Sequence, residues 1–115
     1  MAKSRKSLTR ESFFKDLAIQ PVEVELNGTV FYVKPISELK RSQRYSMMFD
    51  KAGNIDPKFM EKRRVLSLID HLCDKDGEPL FTEKDLKSLQ ELDSVQIDPY
   101  YAAIDKVLGS EEGNE

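Results

Sequence analysis

The clearest pattern in the chain is an alternation between residues 22 and 33. Val22-Glu23-Val24-Glu25-Leu26 alternates apolar and acidic side chains, Thr29-Val30-Phe31-Tyr32-Val33 is built from β-formers, and Asn27-Gly28 stands between them. Period two sends successive side chains to opposite faces of a strand. Asn-Gly tolerates positive φ at both positions of a two-residue turn. The segment therefore predicts a hairpin pairing Leu26 with Thr29, Val24 with Phe31 and Val22 with Val33. Val22, Val24, Leu26, Phe31 and Val33 then share one face, and Glu23, Glu25, Val30 and Tyr32 the other. A lone hairpin is marginal in water, so the apolar face must pack on another part of the chain.

On either side the apolar spacing becomes helical. Thr9 can cap a short helix, Leu8 can pack on Phe13 as a hydrophobic staple, and Phe13, Phe14 and Leu17 supply an apolar face that ends at Pro21. After Pro35, Ser37 can cap a helix running to about Ala52, with Leu39, Tyr45, Met47, Met48, Phe49 and Ala52 as its apolar residues. Gly53-Asn54 breaks it, and Asp56-Pro57 supplies a cap and a first-turn proline for the next helix. Phe59, Val65, Leu66, Leu68, Ile69, Leu72 and Cys73 make that helix apolar over a broad face, so it is expected to be the central core helix.

Asp76-Gly77 and Pro79 predict a turn. Thr82 with Asp85 resembles a capping box, followed by a short helix with Leu86, Leu89 and Leu92. Asp98-Pro99 is expected to open the last helix, which carries Tyr100, Tyr101, Ile104, Val107 and Leu108, with Gly109 at its C-terminal cap. The expected fold class is α+β: a mainly helical small domain with one N-terminal antiparallel β-hairpin packed on four to five helices. A single domain over 9–109 is expected between a basic tail, 1–8, and an acidic tail, 110–115, both disordered. No internal repeat or interdomain linker is visible.

Composition narrows the function. A chain of 115 residues, 39% hydrophobic and 34% charged, has enough apolar content for one modest core under a heavily solvated surface. The net charge of −3 gives no global attraction to nucleic acid or anionic membranes. Lys3, Arg5, Lys6 and Arg10 are nevertheless gathered at one end, and Glu111, Glu112 and Glu115 at the other. A single cysteine, Cys73, allows no internal disulfide and fits a reducing cytoplasm. The first residues lack the apolar run of a signal peptide, and no stretch reaches the roughly 20 apolar residues of a membrane span. The sequon Asn27-Gly28-Thr29 carries little meaning without a secretion signal.

Candidate chemistry is sparse. Asp74-Lys75-Asp76-Gly77 looks like part of a calcium loop, but no register keeps both a ligating first position and a glycine at the sixth. With Gly77 sixth, the first position is Leu72; with Asp74 first, the sixth is Pro79. A tight turn before a capped helix explains the same residues. His71 and Cys73 are two apart on the expected helix, on different faces, and no second His or Cys exists for a metal or nucleophile pair. The carboxylates are scattered among Lys and Arg, and no phosphate-binding glycine loop is present. No catalytic residue, cofactor or metal is expected, and the chain reads as a non-enzymatic interaction protein.

Three features could serve binding. Lys58, Lys62, Arg63 and Arg64 form a basic cluster on a helix, suited to solvent or to an acidic protein partner. Tyr45, Met47, Met48 and Phe49 make their helix apolar over more than one face, since adjacent residues point about 100° apart. Either that helix is buried on two sides, or one side is offered to a partner, for which methionine's adaptable side chain is suited. Tyr100 and Tyr101 are the third candidates.

Taken together, the hairpin VEVELNGTVFYVKPISELKRSQ, the segment RRVLSLIDHLCDKDGEPLFTEKDLKSLQEL and the later YYAAIDKVLG resemble tail assembly chaperones of bacteriophages with long non-contractile tails. Asp74, Asp76, Gly77, Phe81 and Thr82 fit the family's turn before a leucine-bearing helix, and the resemblance spans about residues 11–109. It implies a cytoplasmic protein of the bacterial host that binds the tape measure protein and helps recruit tail tube subunits. Such a protein has no catalytic residues and is absent from the mature virion; self-association is the further partner expected. In many such phages a frameshift adds a second domain to a minority of chains, and this sequence would be the short form. The competing readings are a virion structural or connector protein, and a small regulator that grips DNA with its basic N-terminal arm.

Overall fold

The structure is a computed structural model that describes residues 5–109. Residues 5–8 form no helix or strand, and the remainder of the two expected tails lies outside the described residues. In chain order the elements are α1 (Arg10–Asp16), β1 (Val22–Leu26), β2 (Thr29–Val33), α2 (Glu38–Met47), α3 (Pro57–His71), β3 (Leu72–Cys73), a 3-10 turn (Glu83–Asp85), α4 (Leu86–Gln90) and α5 (Ser94–Leu108). The α+β class read from the sequence is observed.

The hairpin has the expected register, with Val22 opposite Val33, Val24 opposite Phe31 and Leu26 opposite Thr29. Asn27 and Gly28 take φ of 52° and 84°, the doubly positive pair that a twisted two-residue turn requires. Phe31 and Val33 are buried and Val24 and Leu26 half-buried on the core face, while Val22 stays 45% exposed at the open end.

α3 is the core helix. Asp56 caps it by accepting from the Lys58 N–H at 2.9 Å, and Pro57 occupies its first turn. Phe59, Val65, Leu66, Leu68 and Ile69 are buried, and α4 and α5 pack against this helix. Each such side chain contributes roughly 1.5–3 kcal/mol by leaving water. Leu89 from α4 and Ile104 from α5 complete the buried cluster with Phe31 and Val33.

Four expectations are corrected. Leu72 and Cys73 do not continue α3: Leu72 takes extended angles, and the two residues form β3 against Val33 and Tyr32 of β2, making a three-stranded antiparallel sheet. Pairing with the open edge of β2 overrides the helical pattern, and both side chains stay buried. α2 stops at Met47 instead of near Ala52. There the Asp50 carboxylate accepts from the Ala52 and Asn54 N–H groups, each at 2.9 Å, and Phe49 bridges Ile55, so local side-chain hydrogen bonds displace the last helical turn. α5 begins at Ser94, not at Asp98-Pro99. Asp93 supplies the cap by accepting from the Val95 and Gln96 N–H groups, and Pro99 sits inside the helix. Finally, Leu8, Phe13, Phe14 and Leu17, read as a staple and an apolar face, are 73%, 46%, 62% and 64% exposed, and α1 buries no residue.

Candidate functional site

The eight candidate residues fall into two groups that no ring contact joins among the described residues. The first is at the end of α2. Its helical spacing divides the four apolar residues between interior and surface. Met47 and Met48 are half-buried against the core cluster, whereas Tyr45 is 63% exposed. Phe49, beyond the helix end, is half-buried and meets the Tyr45 ring edge-on at 5.3 Å between centroids. Of the four, Met47 and Met48 turn to the core and Tyr45 to solvent. Leu39, Ile55 and Met60, on the same two helices and the loop between them, are also exposed and add apolar surface that the sequence reading did not select.

The second group lies where α3 faces α5. The Arg64 guanidinium carbon sits 4.1 Å above the centre of the Tyr101 ring and pairs with the Asp98 carboxylate, giving a cation–π contact backed by an ion pair. Partial burial pushes the Tyr101 phenol up, against the pull of the Arg64 charge. Tyr100 turns the other way, with its ring 5.2 Å from that of Phe31. Arg63, next to Arg64, is exposed. Tyr100 thus packs on the core, Tyr101 and Arg64 meet across α3 and α5, and Arg63 is exposed.

The network that fixes α2 was not legible beforehand. Arg44 Nε donates to one Asp70 oxygen at 2.8 Å, its Nη2 donates to the other at 2.7 Å, and the same Nη2 reaches Glu83 at 2.9 Å. The Arg44 and Asp70 side chains are only 13% and 6% exposed. The hydrogen bonds that Arg44 donates to Asp70, helped by Glu83, make the guanidinium hold its proton more firmly than usual despite burial. One side chain thereby ties α2, α3 and the 3-10 turn into one unit. Twenty-six residues separate Arg44 from Asp70, and no local spacing rule links them.

His71 and the Asp74–Gly77 stretch are occupied by structure. His71 Nδ1 donates to the Lys34 carbonyl at 2.7 Å, which fixes its tautomer, and the Lys34 N–H donates to the His71 carbonyl. Asp74 accepts from the Asp76 and Glu78 N–H groups at 2.8 and 3.0 Å, and Gly77 takes φ of 86°, so the DKDG stretch forms a tight turn on its own backbone. Among the described residues no three His, Cys, Asp or Glu side chains are grouped as a metal ion would require. Cys73 is buried, and burial pushes its thiol up. No described helix is long and apolar enough to cross a membrane.

No family model matches the chain. No curated protein matches it in sequence. Among solved structures, it is similar in fold to the bacteriophage HK97 tail assembly chaperone, with a TM-score of 0.55 and 16% sequence identity, over 84% of this chain and 97% of that one.

Proposed function

We propose that this chain is a phage tail assembly chaperone that binds the tape measure protein and helps recruit tail tube subunits during tail morphogenesis. The observation that carries the reading is the fold likeness to the HK97 tail assembly chaperone over nearly the whole of both chains. The surface supports it. A protein that shields a long, aggregation-prone helical partner needs a limited apolar patch edged by charge. Tyr45, with Phe49 beneath it, offers an aromatic anchor, and the exposed Arg63 lies on the helix that follows. The role is cytoplasmic, in the bacterial host, and the chain leaves before the particle is finished.

The test is co-expression with the tape measure protein encoded in the same genomic neighbourhood. Soluble co-purification, with the large protein insoluble when expressed alone, is the expected outcome. A tape measure protein that is soluble by itself and fails to bind would sink the reading, and detection of the chain in purified particles would favour a virion component. Tyr45→Asp in folded protein is expected to abolish capture, and Arg63→Glu to weaken it. Full capture by both variants would move the contact to another surface.

A further inference from the structure

A second apolar surface lies outside these eight residues except at Tyr100. Between β2, the segment after β3, α4 and the start of α5 runs a groove of about 330 Å³. Phe31, Leu68 and Leu89 form its floor, and Val30, Leu80 and Leu92 its lips. The floor residues belong to the buried core, but the lips are 50%, 49% and 55% exposed, so three large apolar side chains of one groove face solvent. The hairpin explains why Val30 is there: it sits on the face away from the strand's core residues, where alternation alone assigns a solvent position.

The stretch of chain that supplies Leu80 and Leu92 is acidic. Between positions 78 and 98 the chain has six acids, Glu78, Glu83, Asp85, Glu91, Asp93 and Asp98, against Lys84 and Lys87. Arg44 and Arg64 already neutralise Glu83 and Asp98. Glu91 and Asp93, which flank Leu92, are exposed and take part in no ion pair among the described residues, and Glu78, two residues before Leu80, is exposed and likewise unpaired. Apolar lips with exposed acids beside them in the chain select against an acidic peptide or an anionic membrane and match a helix with apolar residues on one face and Lys or Arg beside them.

We propose that this groove is a docking site for a basic amphipathic helix of a partner protein. It is chemically opposite to the basic stretch of α3, where the exposed Arg63 favours an acidic partner, and it stands whether or not the tape measure reading holds. Apolar side chains of the partner cover Val30, Leu80 and Leu92, and its flanking cations meet Glu91 and Asp93.

The experiment is a fluorescence anisotropy titration of the full chain against two labelled helical peptides. Both have leucine along one face; one has lysine at the other positions and its twin has glutamate. Saturable binding of the lysine peptide only is expected, weakening with added salt. Leu80→Asp and Leu92→Asp should each weaken it about tenfold or more, Glu91→Lys should weaken it and admit the glutamate twin, and Tyr45→Asp should leave it unchanged. Leu80 and Leu92 are half-exposed, so an unchanged melting temperature is expected of both variants; if one fails to fold, the other and Glu91→Lys keep the test intact. Equal binding of the two peptides, or lysine-peptide binding that survives Leu80→Asp and Leu92→Asp, overturns the proposal. So does a concentration-dependent dimer of the unmodified chain that Leu80→Asp abolishes, since a second copy would then fill the groove.

Discussion

α1 and α3 start alike and end in opposite environments. Each has a side-chain cap, Thr9 accepting from the Ser12 N–H at 3.0 Å and Asp56 from the Lys58 N–H at 2.9 Å, and each carries large apolar residues at helical spacing. α3 buries five of them, and α1 buries none. The difference is in what lies opposite. α3 has α4 and α5 against it and runs directly into the sheet through β3, whereas the few residues between α1 and β1 bring no comparable surface to it. Local propensity forms either helix, but only packing holds one of them in the cooperative unit, because a helix of seven residues is marginal in water by itself.

The contrast can be broken from several sides. Leu68→Ala, at a position 1% exposed, should lower unfolding stability by about 3–4 kcal/mol in urea titrations. Leu17→Ala in the region of α1 should leave the same midpoint unmoved, and an equal loss in both would mean that α1 packs on the core. Asp70→Ala leaves the half-buried Arg44 without its main partner and should cost about 3 kcal/mol, the low end for breaking a buried pair because Glu83 remains. A loss of that size in Asp70→Ala with one near zero in Glu83→Ala would show that the buried carboxylate carries the network. Thr9→Ala should cost α1 about 1 kcal/mol of local helix stability, seen as faster amide exchange at Phe13, with no change in global melting. Arg64→Ala, at the exposed ion pair, should shift the melting temperature little or not at all.

The smallest effect concerns Cys73. Burial raises its thiol pKa, so the folded chain keeps this proton at a pH where the unfolded chain has lost it. Its contribution to stability is therefore fully present below the ordinary thiol pKa and declines as pH rises above it. A disulfide reagent at mildly alkaline pH should label native protein far more slowly than protein in urea; equal rates would show that the region around β3 opens readily.

Local chemistry accounted for much of the fold. The hairpin, its register and its turn followed from alternation and Asn-Gly, because both rules act over a few residues. The start of α3 at Asp56-Pro57, the Thr82–Asp85 capping box and the Gly109 cap were equally legible. Boundaries were misread where two local signals competed. Asp98-Pro99 has the form of a helix start, but Asp93 had already capped the helix, leaving Asp98 to pair with Arg64. Asp50 held its own loop and shortened α2.

Of the candidate surface, the sequence determined which residues are apolar, aromatic or basic, and that Tyr45 and Met47 or Met48 could not all face one way. Only tertiary structure decided that Met47 and Met48 turn inward, that Tyr100 packs on Phe31 while Tyr101 lies under Arg64, and that Val30, Leu80 and Leu92 meet along one groove. The physical reason is range. Turn, cap and alternation are set by neighbours along the chain. The pairing of Leu72 and Cys73 with β2, the Arg44–Asp70 bridge and the exposure of α1 depend on which distant surfaces meet in the folded chain, and no residue spacing encodes that meeting.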